Sequence, residues 1–388
     1  MSGVESRGFP AKPTLRLPPY PARESFASPR LAFRTLKRTL QSVWLGAEAE
    51  PRSVARATRR AFHLVARELY KPGEIRALGL LRADVPEAAL RRVASRSTML
   101  RVATTLNPEP WRGNLENKAT FYRLASGAGL PVPSVVGLFL PNRLGEWRGA
   151  SVAGSRDEWV DRLLHDAPDE FVIKPVSGGW GRGVSVLSRE GAERFRTASG
   201  RSLSASELLE EMAAAASDGC LLQERIRSHP ALEAFSGSPY LQTLRLYTLI
   251  DASGAAQLLR GSLRVIAGSN WVDNYGAGAD GNFVAQIDGE RGVLASASGP
   301  DRASGGIVPI ERHPTTGVPV AGFALPDWRA ARELALALAR CFSPLRWAGW
   351  DIALTPNGPV AIEGNWNADA PNNSQRVDWL FSEIRRLY

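Results

Sequence analysis

The chain has no run of 18 or more apolar residues, which excludes an ordinary membrane-spanning helix. Cysteine is almost missing. Cys220 and Cys341 are the two present, too few for a disulfide scaffold or a cysteine-based zinc module, and this usage fits a reducing compartment. The four histidines (His63, His165, His229, His313) are scattered, and no two stand at metal-ligand spacing. Lysine is scarce as well. Of 48 basic residues 43 are arginine, and only Lys118 and Lys174 lie beyond residue 71. An arginine-favouring background accounts for most of this bias. A lysine kept within it draws notice, because a planar guanidinium does not replace a compact ammonium well.

What is present suits a globular protein. The chain has 388 residues, 44% of them apolar and 22% charged, enough for sizeable cores in two or three domains. The net charge of +9 is unevenly spread: residues 1–100 hold 19 basic against 8 acidic residues, and the remainder is nearly neutral. Six prolines within residues 1–30 mark an irregular leader without the apolar core of a secretory signal. Over 31–105 we expect a basic helical region. Apolar residues recur at helical spacing from Leu31 to Leu45 and from Ser53 to Tyr70, with a third helical stretch over Pro86–Arg96. Its arginine-rich surface reads as a solvated face, or else as a docking surface for an acidic partner or carrier. No zinc-finger spacing, RNA-binding aromatic motif or long basic run points to nucleic acid.

After Asn107 strands and helices alternate. Asn114 is expected to cap a helix running to about Ser126, stopped by Gly127 and Gly129. Strands are expected at Ser134–Leu140, Phe171–Lys174, Val184–Leu187 and Cys220–Ile226, and a helix at Ser206–Ala216. Two hairpins follow, Leu241–Ile250 with Ala256–Ile266 and Gly349–Leu354 with Pro359–Glu363. The helix Asp327–Cys341 lies between them, and another from about Ser374 closes the chain.

Three constellations carry chemistry. In the first, the strand Phe171–Lys174 delivers a lysine to a loop containing Gly178, Gly179, Gly181 and Gly183, and a second strand follows. Glycines permit positive φ and close approach of backbone N–H groups to phosphate oxygens. The spacing fits neither a Walker A loop nor a Rossmann turn, and by itself the loop is equally a plain glycine-rich hairpin. In the second, Asp351 and Glu363 fall on adjacent strands joined by a tight turn, and Asn365 can share the face of Glu363. Two carboxylates and an amide are hard oxygen ligands suited to Mg²⁺. Their apolar neighbours argue against a merely solvent-facing hairpin. In the third, the apolar strand Leu221–Leu222 ends in Gln223, Glu224 and Ile226, which can line an adenine pocket or simply end a surface strand.

In order and spacing, residues 105–388 resemble the ATP-grasp superfamily, and most closely its sugar-transfer-associated group. Asn117–Phe121 followed by Gly129–Pro133 is similar to the family's first lysine, helix and strand. Phe171–Val184 resembles its second lysine and phosphate loop, and Gln223–Ile226 its adenine hinge. Gln242–Arg245 resembles its central-strand arginine, and Trp271–Gly276 a segment particular to the group. Asp351, Glu363 and Asn365 resemble its magnesium ligands.

The resemblance implies an α+β fold, the ATP-grasp fold of two α+β subdomains clamping ATP, with boundaries near 106–222 and 223–388. It implies ATP and Mg²⁺ as cofactors, and nucleotide contacts from Lys118, Lys174, the four glycines, Gln223, Glu224, Ile226 and His229. It also implies a carboxylate–amine ligase of bacterial cytoplasm that works through an acyl phosphate on small-molecule acid and amine substrates. Many relatives carry an arginine two residues before the metal-binding aspartate; here that position is Gly349. Arg245, Arg264 and Asn274 are the expected substrate contacts, and one of the arginines can take the missing role. A kinase acting on a sugar-like hydroxyl and a non-catalytic nucleotide-binding module stay open as alternatives. No oligomeric state is assigned by these residues.

Overall fold

A computed structural model describes residues 37–38 and 51–368, apart from short stretches at 67–69, 78, 82–84, 86–93, 142–144, 153–154, 180, 216, 275–280 and 301–306. The leader, nearly all of the helix expected from Leu31, most of that expected over Pro86–Arg96, and the closing helix lie outside the described residues.

Among the described residues five helices precede the first strand: α1 (Pro51–Ala66), α2 (Pro72–Ala77), α3 (Arg96–Leu106), α4 (Glu109–Glu116) and α5 (Lys118–Gly127). The helix expected to start at Asn114 is two helices. Asn114 lies inside α4, and the cap of α5 is Asn117, whose side chain accepts from the Thr120 amide at 3.0 Å. Helix α5 ends where Gly129 takes φ +72°, a conformation that costs glycine little.

Two antiparallel sheets follow. The first has eight strands in the order β3 (Ala150–Val152), β2 (Gly145–Trp147), β1 (Val135–Phe139), β8 (Cys220–Glu224), β4 (Glu170–Pro175), β5 (Ser185–Glu190), β6 (Arg194–Thr197) and β7 (Ser202–Ser204). Helices α6 (Arg156–His165) and α7 (Ala205–Ala215) bury Trp159, Leu163, Leu208 and Met212 in its core. The second sheet has seven strands in the order β13 (Ile307–Pro309), β12 (Val293–Pro300), β11 (Phe283–Asp288), β10 (Ala256–Val265), β9 (Thr243–Ile250), β14 (Trp347–Thr355) and β15 (Gly358–Asn365). A short helix α8 (Pro230–Ser236) precedes it, and α9 (Trp328–Cys341) packs Ala331, Leu334, Ala335 and Leu338 into its core. That spacing puts one helix face inward, and each buried leucine contributes about 1.5–3 kcal/mol.

All nine residues of β14 are buried. Helices α9 and α3 both pack against it. Asn107, fully buried after α3, locks this packing. Its amide donates to the Trp347 and Trp366 carbonyls at 2.8 Å each and accepts from the Arg346 and Trp347 amides. Helix α5 sits where the two sheets meet: the Lys118 amide bonds the Val176 carbonyl beside β4, and Tyr122 bonds the Ile362 carbonyl on β15.

Candidate active site

A cavity of about 1100 Å³ opens between the sheets. Fourteen of the sixteen residues expected to carry function line it: Lys118, Lys174, Gly178, Gly179, Gly181, Gln223, Glu224, Ile226, Arg245, Arg264, Asn274, Asp351, Glu363 and Asn365. The other two are elsewhere. Gly183 is held at φ +72°, where a Cβ would come within 2.8 Å of Pro175, so it shapes the loop behind the wall. His229, expected among the nucleotide contacts, caps α8. Its Nδ1 accepts from the Ala231 amide at 3.1 Å.

Helix α5 and the first sheet supply cations. Lys118 and Lys174 are each 7% exposed. Lys118 Nζ donates to the Gly178 carbonyl at 2.6 Å and pairs with Glu363 at 3.3 Å, so it already bridges the glycine loop and the far sheet. Lys174 Nζ donates to the Tyr122 hydroxyl, which in turn donates to the Ile362 carbonyl. Burial depresses the Lys174 ammonium to about 7, with Glu363 opposing and Lys118 adding to the depression. Burial likewise pushes the Tyr122 phenol up, so this hydroxyl stays protonated. In the loop, Gly178 (φ +109°) and Gly181 (φ +68°) adopt conformations that side chains resist. Among the described residues no atom would lie within 4 Å of a Cβ at Gly178 or Gly179, and both glycines line the cavity.

The second sheet supplies the carboxylates in a row. Glu363, Asp351, Arg245, Ser262 and Gln286 are directly opposed neighbours on β15, β14, β9, β10 and β11. Such residues share a sheet face. Asp351 is 3% exposed and accepts from two arginines. Arg245 engages it bidentately, with Nη2 at 3.1 Å from Oδ2, and Arg264 Nη1 reaches the same oxygen at 3.0 Å. Burial opposes ionisation of Asp351, but the two arginines outweigh it and hold the carboxyl below the usual carboxylate range.

The missing side chain at Gly349 has a structural counterpart. A Cβ there would sit 3.1 Å from Arg245 Cδ and 2.7 Å from the Ala368 methyl. Arg245, reaching across from β9, thus fills the space that a side chain at 349 would need.

The donor set suits a hard divalent cation. Glu363 and Asn365 lie two residues apart on β15, and Glu363 is directly opposite Asp351. The buried Nδ2 of Asn365 has no partner among the described residues. Asp351 would join such a site when an arginine yields one carboxylate oxygen.

Two contributors escaped sequence reasoning. Tyr122 stands one helical turn after Lys118 on the face that meets β15, and that i,i+4 spacing was the available signal. Asp273 accepts from the Thr243 amide at 2.8 Å and from the Thr243 hydroxyl, and lines the cavity. Burial raises its carboxyl, with Arg264 and Thr243 opposing. Lys71 and Arg96 of the N-terminal region also reach the cavity wall, for which no local signal exists.

Among the described residues no helix is long and apolar enough to cross a membrane. Residues 99–374 match the family described as sugar-transfer associated ATP-grasp. No curated protein matches the chain. Solved structures similar to it include an L-amino acid ligase from Bacillus licheniformis, at 12% identity over 70% of this chain and 46% of that one, TM-score 0.36. A biotin carboxylase from Campylobacter jejuni shares 11% identity over 71% and 47%, TM-score 0.41. The D-Ala:D-Ser ligase of Enterococcus faecalis shares 13% over 70% and 61%, TM-score 0.39. The chain thus spans less than two thirds of the length of each.

Proposed function

Because the chain belongs to the sugar-transfer-associated ATP-grasp family, we propose that it is an ATP- and Mg²⁺-dependent carboxylate–amine ligase. The observation that carries this reading is convergence. Lys118 at the start of α5, Lys174 and an open glycine loop from the first sheet, and Asp351, Glu363 and Asn365 from the second border one cavity.

In this reading the two lysines and the loop amides bind the polyphosphate, and Gln223, Glu224 and Ile226 border the adenine. Asp351, Glu363 and Asn365 would hold magnesium, which supplies charge neutralisation at the β- and γ-phosphates. The protein's share is positioning and electrostatic preorganisation. The acceptor carboxylate attacks the γ-phosphorus and ADP leaves. The amine nitrogen then bonds to the acyl carbon as phosphate departs. Arg245 and Arg264 face the acid and the oxyanion that develops on it, with Asn274 as a further substrate contact. The position of Arg245 over Gly349 favours the ligase over the kinase alternative, since it restores a guanidinium beside the metal-binding aspartate.

ADP release screened over acids and amines tests the reading. We expect release with the correct pair, free phosphate rather than a phosphoester by phosphorus NMR, and loss of both in Lys174→Ala. Release at the wild-type rate in that variant, or no release with any pair, would refute it.

A further inference from the structure

The proposed reaction leaves one cavity carboxylate without a part. Six carboxylates line the wall: Glu74, Glu116, Glu224, Asp273, Asp351 and Glu363. Asp351 is held by two arginines and Glu363 by Lys118. Glu224 borders the adenine in the ligase reading, and Glu74 and Glu116 belong to the N-terminal helices α2 and α4. Asp273 remains.

Its position is fixed from several sides. Oδ2 accepts from the Thr243 amide at 2.8 Å and from the Thr243 hydroxyl. Asn282, fully buried, donates its Nδ2 to the carbonyls of both flanking residues, Val272 at 2.9 Å and Asn274 at 3.0 Å. The glycine loop lies against the same segment: a Cβ on Gly181 would stand 3.7 Å from Val272 Cγ2 and from Asn274 Cβ. Thr243, the anchor of Asp273, and Arg245 share a face of β9 two residues apart, about 7 Å. Arg264, which bonds Asp351, also acts on Asp273 through its charge. Asp273 therefore borders both the phosphate loop and the arginine cluster. Its other oxygen, Oδ1, accepts no hydrogen bond among the described residues, and the residue is only partly buried and lines the cavity.

An amine substrate reaches such a site as an ammonium, because alkylamines hold their proton to about pH 10. In that form the nitrogen has no electron pair to offer. Arg245 and Arg264, expected at the acyl end, are cations and cannot take the proton. A carboxylate with one oxygen turned to the cavity does both things needed. It attracts the ammonium through a charge-assisted hydrogen bond, and it accepts the proton. Burial raises the Asp273 carboxyl, with Asp351 adding and Arg264 and Thr243 opposing, and a carboxylate gains strength as a base when its acid form is favoured. We propose that Asp273 is the amine subsite: Oδ1 binds the ammonium of the second substrate and takes one proton from it. The bared electron pair then bonds the nitrogen to the acyl carbon. The bond from that carbon to the phosphate oxygen breaks with its electrons on the phosphate, which carries away the second surplus N–H proton. Asp273 afterwards returns its own proton to water. The catalytic role rests on the ligase reading, and the subsite on the cavity geometry alone.

The test uses the full chain saturated with Mg²⁺ and ADP. Propylamine and 1-propanol, alike in size but not in charge, are titrated by calorimetry at pH 7. We expect propylamine to bind at least about tenfold more tightly. The preference should vanish in Asp273→Asn, whose amide oxygen still accepts from Thr243 while its other atom is a donor. Asp273→Glu keeps the charge but moves it by one methylene, and should lose only part of the preference. It decides the matter alone if the Asn variant fails to fold, since no loss would then refute the assignment. Turnover with Mg²⁺ and ATP gives a second readout. Acetate, glycine, L-glutamate and glucuronate are offered with propylamine or with hydroxylamine, which is already unprotonated at pH 7, and ADP release is followed. The ratio of the propylamine rate to the hydroxylamine rate should fall about 100-fold in Asp273→Asn. No preference for propylamine, the same preference in Asp273→Asn, or an unaltered rate ratio overturns the proposal. Failure of the ligase reading registers separately, as a charge preference that depends on Asp273 while no acid supports ADP release.

Discussion

In the proposed reaction the depressed Lys174 makes nucleotide binding a proton-coupled event. Its ammonium, 7% exposed and held by the Tyr122 hydroxyl, has its affinity for a proton lowered to about 7 by burial. At pH 8 such a group is only about 10% protonated. Phosphate oxygens brought beside it supply the anion that its pocket lacks, and an opposite charge at contact distance restores the charged form. Binding of Mg·ADP at pH 8 should therefore take up about 0.9 proton. Calorimetry in buffers of different ionisation enthalpy measures this directly as the slope of observed heat against buffer heat. The slope should fall towards zero at pH 6, where Lys174 is already charged, and should vanish at pH 8 in Lys174→Met. The unliganded protein gives an independent check of sign. Because the folded state disfavours the charged lysine, the penalty is complete below about pH 7. It is relieved as pH rises towards the unfolded value of 10.5, by up to about 1.4 kcal/mol per pH unit. Wild-type stability should therefore rise relative to Lys174→Met between pH 7 and pH 9. No proton uptake at pH 8, or equal uptake in the variant, would refute the reasoning.

Three further outcomes follow from the packing. Asp351→Asn leaves Arg245 and Arg264 without their shared counter-charge in a buried site, and should lower stability by about 3–5 kcal/mol in urea denaturation; a loss below about 1 kcal/mol would mean the trio is solvated. Gly349→Ala forces a methyl against Ala368 and Arg245, and should cost about 1–3 kcal/mol in the same assay while lowering turnover more than nucleotide affinity. Asn107→Ala removes four hydrogen bonds at a fully buried joint and should cost at least about 3 kcal/mol, read as a lowered melting temperature together with faster proteolysis of the N-terminal helices.

The legible parts of the site were those whose chemistry is local in the chain. The lysine-ended strand and its glycine loop lie within residues 171–184, and the acidic hairpin within 349–365; strand period and turn residues place both. Arg245 and Asp351 are 106 residues apart, and their contact depends on the register of β9 against β14, which no local pattern sets. The same holds for the row from Glu363 to Gln286, which draws one residue from each of five strands. The error at Asn114 has a different origin. Asn114 and Asn117 both suit a cap, and the proline at 110, in the first turn of α4, was the sign that a helix had already begun. His229 stands directly before Pro230, the same first-turn signal, and its Nδ1 caps the helix.

Lys118, Lys174, Asp351 and the two arginines each hold a partner within the protein rather than being left waiting. Lys118 is paired with Glu363, Asp351 with two arginines, and Lys174 keeps a neutral phenol while burial holds down its charge. Buried charges without partners would cost several kcal/mol each, so a cleft that must exist before its ligand arrives has to neutralise itself. Binding in the proposed reaction is then an exchange of partners. Phosphates take Lys118 from Glu363, and the freed carboxylate becomes available to a cation together with Asn365. Arg245 and Arg264, on releasing an oxygen of Asp351, turn to the anionic acceptor. Each transfer exposes the donor needed for the next, so nucleotide, cation and acceptor should bind cooperatively. Lys118→Met would uncouple them. Glu363 would stand free from the outset, and Mn²⁺ binding in the absence of nucleotide, followed by electron paramagnetic resonance, should tighten while its enhancement by ADP falls. Unchanged Mn²⁺ affinity in that variant would show that Lys118 does not gate the carboxylate.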